Sequence, residues 1–343
     1  MANYAASLKQ KAQLRLNAKM QEPEFRYKSN PALMLALKNS KITVPAYTDY
    51  LNGKSSDQRS VETLMLARSS ESVGSARAYN HTGKLGDSFA TSLTWSSYTR
   101  TFKYTLKQED RNQFNAAEML ATQLYNSFID INNAIGTAAQ TFLSTNKNQV
   151  PVTGVKGATW DSTNKAYVIG ADETPRYIQR IKSIMRQDYF TGNYDVVADS
   201  LKYADLEHYA AQGTGNETNY GYQYSGLNIA ESTEMDVPST YAGGGAYIMP
   251  VGTFAALPWI PQKNVQGWGD YNSYLGGYGT IKDPISGLTF AFHQYADRAD
   301  NDEAGSETQD VNFQCEVSID LGFLTAPINV SNKSVINLTV QGS

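Results

Sequence analysis

The sequence predicts an α+β fold, and three observations carry that prediction. Nine apolar residues (Phe114, Ala117, Ala121, Leu124, Phe128, Ile131, Ile135, Ala138 and Phe142) recur at alternating spacings of three and four, the period of a single long helix. Around Phe89, Leu93 and Trp95, and again at Phe313, Cys315, Val317, Ile319 and Leu321, apolar and polar residues alternate as half-buried strands do. The third observation is length. At roughly 150 residues per domain, 343 residues allow two domains or one with large extensions.

The elements follow in order. Residues 1–30 read as a basic arm. Leu8, Ala12 and Leu16 form a weak stripe among Lys9, Lys11, Arg15 and Lys19, and Pro23 interrupts it. The arm reads either as a solvated terminus or as a segment that orders on a neighbouring chain. Asn30-Pro31 then opens a short apolar helix, with Asn30 as N-cap and Pro31 at the first helical position. Residues 57–106 are polar and strand-like. Their alternation shifts from odd positions (Phe89, Leu93, Trp95) to even ones (Tyr98, Phe102, Tyr104, Leu106), which predicts a bulge or change of partner at Ser96-Ser97. So few large aliphatics cannot fill a core, so a long two-stranded hairpin standing away from the body is expected.

Asp110 and Gln113 approximate a capping box ahead of the long helix, expected over 111–143 and about 50 Å long. A second helix is expected from Thr174-Pro175 to Gly192, with Tyr177, Ile181, Ile184 and Met185 inward. YDVVAD reads as a buried strand and 200–211 as a helix. From Gln212 the chain reads as loop-rich, including AGGGAYIMP and NVQGWGDYNSYLGGYG.

Composition excludes several functions. The 29 Lys+Arg against 33 Asp+Glu leave a net charge of −4, against a dedicated nucleic-acid binder. One cysteine, Cys315, excludes an internal disulfide framework, and on an apolar strand face it reads as an inert core thiol. His81, His208 and His293 match no metal-ligand spacing. No signal peptide follows the basic terminus, and the tract 246–261 is broken by Pro250 and Pro258, too short to span a bilayer. A soluble chain is expected, with its five Asn-x-Ser/Thr sequons arising by chance. GTGNETNYG lacks the third glycine of a dinucleotide loop and the lysine of a P-loop. No GxSxG occurs. The acidic run DRADNDEAGSETQD fails as a calcium loop, because Ala304 and Val311 fill ligand positions. No catalytic residue, metal ligand or cofactor site is predicted, and the chain reads as a non-enzyme. Charged residues are only 18%, while tyrosine reaches 23, a bias shared by protein interfaces and glycan binders.

The order of these elements, with FKYTLKQEDRNQFNAAEMLATQLYNSF, YDVVADSLKYADLEHYAAQGTGNETNYGYQYSGLNI, DPISGLTFAFHQYAD and QDVNFQCEVSIDLGF, resembles the major capsid proteins of tailed bacteriophages. That family has the Hong Kong 97-type fold, shared with encapsulins. The resemblance implies an N-terminal arm (1–30), the start of a peripheral domain (31–56) and an extended loop over a neighbouring subunit (57–107). It further implies a peripheral domain with the spine helix (108–171), a mixed axial domain (172–300) and a return to the peripheral domain (301–343). It implies self-assembly into hexamers and pentamers of an icosahedral virion head, assembled in the host bacterial cytoplasm around double-stranded DNA. DNA contact is expected to be weak and non-specific, with no membrane contact. A separate scaffold, a portal and accessory capsid proteins are the further partners implied. Lys84 lies in the extended loop, but no crosslink is predicted. Subunit contacts are expected at Lys9, Lys11, Arg15, Lys19, Phe89, Trp95, Tyr98, Trp268, Tyr271 and Tyr274. Two readings stand beside this one: a carbohydrate-binding or glycan-processing protein using Trp259, Trp268 and Tyr271, and an encapsulin-type compartment.

Overall fold

The structure, a computed structural model, describes residues 4–19, 31–43, 62–66, 73, 85–86, 88–105, 116–213, 226–235, 237–271, 273–284, 286–298, 311–325 and 333–342. In chain order these form α1 (Tyr4–Lys19), α2 (Pro31–Thr43), β1 (Glu62–Leu66), β2 (Ser88–Ser92), β3 (Trp95–Thr105) and α3 (Ala116–Thr145). There follow β4 (Thr159–Asp161), β5 (Ala166–Ile169), α4 (Tyr177–Gln187), β6 (Tyr194–Asp199), α5 (Ser200–Gly213), β7 (Leu227–Ser232), β8 (Gly245–Pro250) and β9 (Phe254–Trp259). The last are α6 (Gln262–Gln266), β10 (Gly277–Lys282), β11 (Thr289–Arg298), β12 (Val311–Thr325) and β13 (Ile336–Val340). The expected capping box at Asp110 and Gln113 and the acidic run from 299 to 310 lie outside the described residues.

The apolar stripe forms α3, about 45 Å long at 1.5 Å per residue. Ala117, Ala121, Leu124, Phe128, Ile131 and Ile135 are buried. In the last turns the inward register drifts, so Ala139 and Leu143 are buried while Ala138 and Phe142 sit at the rim. The helix lies against a five-stranded sheet ordered β10-β11-β12-β3, with β9 also paired to β12. Phe128 meets Phe290 at 5.1 Å, and Tyr104 stacks on Phe313 at 5.0 Å. Burying each such ring contributes about 1.5–3 kcal/mol.

β12 organises this sheet. One edge pairs with β3, the other first with β11 and then with β9. Its alternation holds from Phe313 to Ile319, and from there to Gly322 successive residues are buried, where β9 has joined. Cys315 is buried as expected, and burial pushes its thiol well above the ordinary range. β1 and β2 form a separate antiparallel pair, but β3, which the hairpin reading also took in, pairs with β12 in the five-stranded sheet. The switch of face falls at Ser96-Ser97 as expected, both exposed between the inward Trp95 and Tyr98. The register with β12 runs through it without a bulge, and it lies opposite Asp320, where β9 joins β12.

A six-stranded sheet, ordered β4-β5-β13-β8-β6-β7, forms the second layer. Val197, Tyr247 and Met249 turn one face to the α3 core. Val196, Ala198 and Ile248 turn the other to α4 and α5. Covered on both faces, β6 is buried along its whole length. Tyr177 of α4 donates to the Leu338 carbonyl in β13 at 2.8 Å, so even this buried phenol is satisfied.

Four expectations need correction. AGGGAYIMP is no loop: its second half is β8, between β13 and β6. Gly244 has φ +80, and a Cβ there would lie 2.9 Å from the Asp199 carboxylate, so only glycine fits. The second helix begins with a 3-10 turn over Ala171–Arg176 and stops at Gln187, not Gly192. Tyr189 takes the left-handed conformation at φ 64 instead. The basic arm is an ordered helix docked on its own chain, because Leu8, Ala12 and Leu16 are buried in the α3 core. Sheet membership also crosses the expected boundaries. β9, β10 and β11 belong with β12, while β4, β5 and β13 belong to the six-stranded sheet.

α2 spans the two layers, packing on β9, β7 and α3. Its Asn39 donates to the buried Asp195 carboxylate at 2.6 Å, and Asn228 donates to the other oxygen at 2.9 Å. Among the described residues no helix is long and apolar enough to cross a membrane. The sequon residue Asn337 is buried in β13, where a glycan has no room.

Candidate assembly surfaces

The loop between α6 and β10 presents an apolar surface on a braced backbone. Trp268, Tyr274 and Leu275 are 62, 78 and 86% exposed, and Val265 on α6 is 55% exposed. Backbone bonds tie the loop internally, from Ser273 N–H to Asp270 O (3.0 Å) and from Gly276 N–H to Ser273 O (3.1 Å). Others tie it to the sheet, from Tyr278 N–H to Trp268 O (2.6 Å) and from Ala296 N–H to Ser273 O (3.2 Å). The Trp268 indole N–H donates to Gln266 at 2.6 Å. Gly276 (φ +81) lets the chain pass so close that an added Cβ would sit 2.5 Å from His293 Nε2. Large apolar groups held this way lose little conformational entropy on contact.

Behind the loop, His293 stacks on Tyr278 at 4.3 Å, and the Lys263 ammonium lies 4.3 Å from the Tyr278 ring centroid. Burial lowers the His293 pKa; Glu316 opposes that shift and Lys263 adds to it. Tyr271 turns inward. Its hydroxyl donates to Tyr278 O (3.2 Å) and accepts from Lys9 Nζ (3.3 Å), and that amine also lies over the Tyr271 and Phe292 rings. Burial pushes the Lys9 amine down and the Tyr271 phenol up.

A second surface is a groove of about 690 Å³ on the outer side of the second half of α3. Leu93, Tyr98, Ala138, Phe142 and Phe323 line it, with Thr137, Thr141 and Thr145 in a row, and among the described residues no charged side chain does. Each threonine hydroxyl donates to the carbonyl four residues back in its own helix, at 3.1, 2.9 and 2.9 Å, and that of Thr137 also lies 3.5 Å from the Glu234 carboxylate at the groove's margin. Internally satisfied hydroxyls leave methyl groups for a partner. The groove lies at the root of the β1–β2 hairpin, through Leu93 and Thr94.

The expected contact residues therefore divide. Trp268 and Tyr274 are exposed together on the loop, while Lys9 and Tyr271 are joined to each other within the chain. Trp95 and Tyr98 are half-buried on β3, Tyr98 lining the groove. Lys11 and Arg15 are exposed on α1, Arg15 reaching Glu118 at 3.8 Å. Phe89 and Lys19 belong to β2 and α1, but their side chains lie outside the described ones. Sequence reasoning missed Val265, Leu275, Phe142 and Phe323. Leu275, a lone leucine beside two glycines, was the one readable signal. Among the described residues no group of three His, Cys, Asp or Glu could hold a metal ion.

No protein-family model and no curated protein matches the sequence. Solved structures do. A chain of the Cyanophage A-1(L) capsid asymmetric unit is 11% identical, with TM-score 0.54, covering 93% of this chain and 94% of that one. A chain of Mycobacterium phage Che8 is 10% identical, with TM-score 0.50 and the same coverage. At such identity the likeness is one of fold, and it spans both layers: the chain has the α+β fold of a phage capsid chain.

Proposed function

We propose that this chain is a structural shell protein, the major capsid protein of a tailed phage, which assembles through copies of itself into hexamers and pentamers around double-stranded DNA. The observation that carries this reading is a capsid-chain fold spanning 93% of the sequence. The rigid apolar loop and the uncharged groove support it. They are different patches, so pairing them between copies is a heterologous contact of the kind that closes rings. A role in the virion, with a scaffold and a portal as partners, follows from the same reading, as does a structural rather than enzymatic role.

The glycan reading loses its platform. Trp259 is buried and Tyr271 is tied to Lys9, so of its three aromatics only Trp268 is exposed. The test is electron microscopy of the purified chain beside a Trp268→Ser, Leu275→Ser variant. Both residues are exposed, so the variant is expected to keep the parent's circular dichroism and melting temperature while forming few or no closed particles. Particles as abundant as the parent's would remove the loop from assembly.

A further inference from the structure

The outward face of α4 carries a concentration of positive charge that the shell reading does not explain. Tyr177, Ile181, Ile184 and Met185 turn inward, leaving Arg176, Arg180, Lys182 and Arg186 spread around the opposite side, with no acidic residue in the helix. Carboxylates stand at both ends: Asp172 and Glu173 in the turn before it, and the buried Asp188 that closes it. Arg186, two positions before Asp188, itself hydrogen-bonds Tyr194. Glu173 accepts from Arg180 at 2.9 Å and from Arg176 at 3.3 Å, and the Arg180 hydrogen bond leads in holding its carboxyl below the usual range. Arg180 also donates to the Lys156 carbonyl at 3.3 Å, which brings the exposed Lys156 beside the helix. Five cations thus meet three carboxylates, one of them the buried Asp188, on a chain whose net charge is −4.

Three cations on other described elements are engaged elsewhere. On α1, Lys9 packs on rings and Arg15 turns to Glu118. On β3, Arg100 pairs with Asp130 at 2.9 Å. From Arg176 to Arg186 the helix rises about 15 Å, a length of duplex that carries about nine phosphates. Arginine forks suit phosphate oxygens, and the paired Glu173 holds two of them in place. Among the described residues, Val150, Tyr189 and Leu201, the exposed large apolar side chains on this layer, belong to separate segments, so the face offers charge rather than an apolar seam.

We propose that this face, built from Lys156, Arg176, Arg180, Lys182 and Arg186, binds the phosphate backbone of duplex DNA without sequence preference. The proposal rests on the shell reading for its setting: one weak site per copy, repeated over a closed surface, gives a large total hold.

The test uses the unassembled full chain and a random-sequence duplex of about 30 base pairs, followed by fluorescence anisotropy between about 50 and 200 mM salt. A Lys156→Gln, Arg176→Gln, Arg186→Gln variant leaves the Arg180–Glu173 pair intact. Its slope of log affinity against log salt is expected to be shallower by about 2–3. A Lys11→Gln, Arg15→Gln control is expected to keep the parent's slope. An unchanged slope in the triple variant, or a loss confined to the α1 control, overturns the proposal. So does a triple variant that binds DNA normally but no longer assembles, which would make the face a contact between copies. Particle formation by the parent chain is scored separately by microscopy, so failure of the shell reading is distinguishable from failure of this face.

Discussion

Around α3 and the five-stranded sheet, exposed large apolar side chains gather: Val265 on α6 with Trp268, Tyr274 and Leu275 on the braced loop after it, while a separate groove is lined by no charged residue among those described. Around the outer face of the six-stranded sheet the order is reversed. Tyr189 and Leu201 stand on separate segments, and it is cations that cluster, on α4. Both layers bury ordinary aliphatic and aromatic cores, so folding alone accounts for neither surface. Exposed apolar groups cost solubility unless something covers them, and clustered cations repel one another unless something screens them. Under the two proposals, this difference corresponds to different neighbours: other copies for the first layer, a polyanion for the second.

The contrast can be broken or sharpened by substitution. The largest effect is expected from Ala121→Asp or Phe128→Asp, each placing an unpaired carboxylate in the α3 core. The cost is about 4 kcal/mol or more, so neither variant should yield folded protein by circular dichroism. A soluble, native-like product would refute the buried stripe. A smaller effect falls where the layers join. Asn39→Ala removes one of the two amides bonded to Asp195 and should cost about 1–3 kcal/mol in urea unfolding. An unchanged midpoint would show that the junction does not depend on α2.

The smallest effect concerns pH. Burial sets the folded pKa of His293 below its ordinary value of 6.5. Between those two values the unfolded chain binds more protons than the folded one, so stability falls as the pH falls. The His293 contribution is complete above 6.5 and is lost on acidification through that value toward the lowered one. His293→Phe should therefore lose less melting temperature than the parent between pH 7.5 and 5.5. An equal loss would place the acid sensitivity elsewhere.

Much of this architecture was legible where one face of an element is wet. α3 and β12 announce themselves through periods of 3.6 and 2, because only one side of each is apolar for most of its length. α4 was readable for the same reason, down to its four inward residues. β8 and β13 were not, since strands buried on both faces show no alternation, and the glycines ahead of β8 serve both a turn, closed by Gly244 N–H to Tyr241 O, and close packing. Docking of α1 was illegible too, because Lys9 and Tyr271 lie 262 residues apart and only the fold joins them. At the assembly surfaces, Trp268 and Tyr274 could be named from residue type, whereas the groove is assembled from β2–β3, α3 and β12 and leaves no local pattern. Phe142 read as core from its spacing, yet the drift of α3 leaves it at the rim.

The central claim is that this chain assembles through copies of itself. The mass of the purified full chain, measured by light scattering after size exclusion over a wide concentration range, tests it most directly. The account predicts a species at five or six times 37.8 kDa, or a megadalton particle. A monomer of 37.8 kDa at every concentration would contradict it.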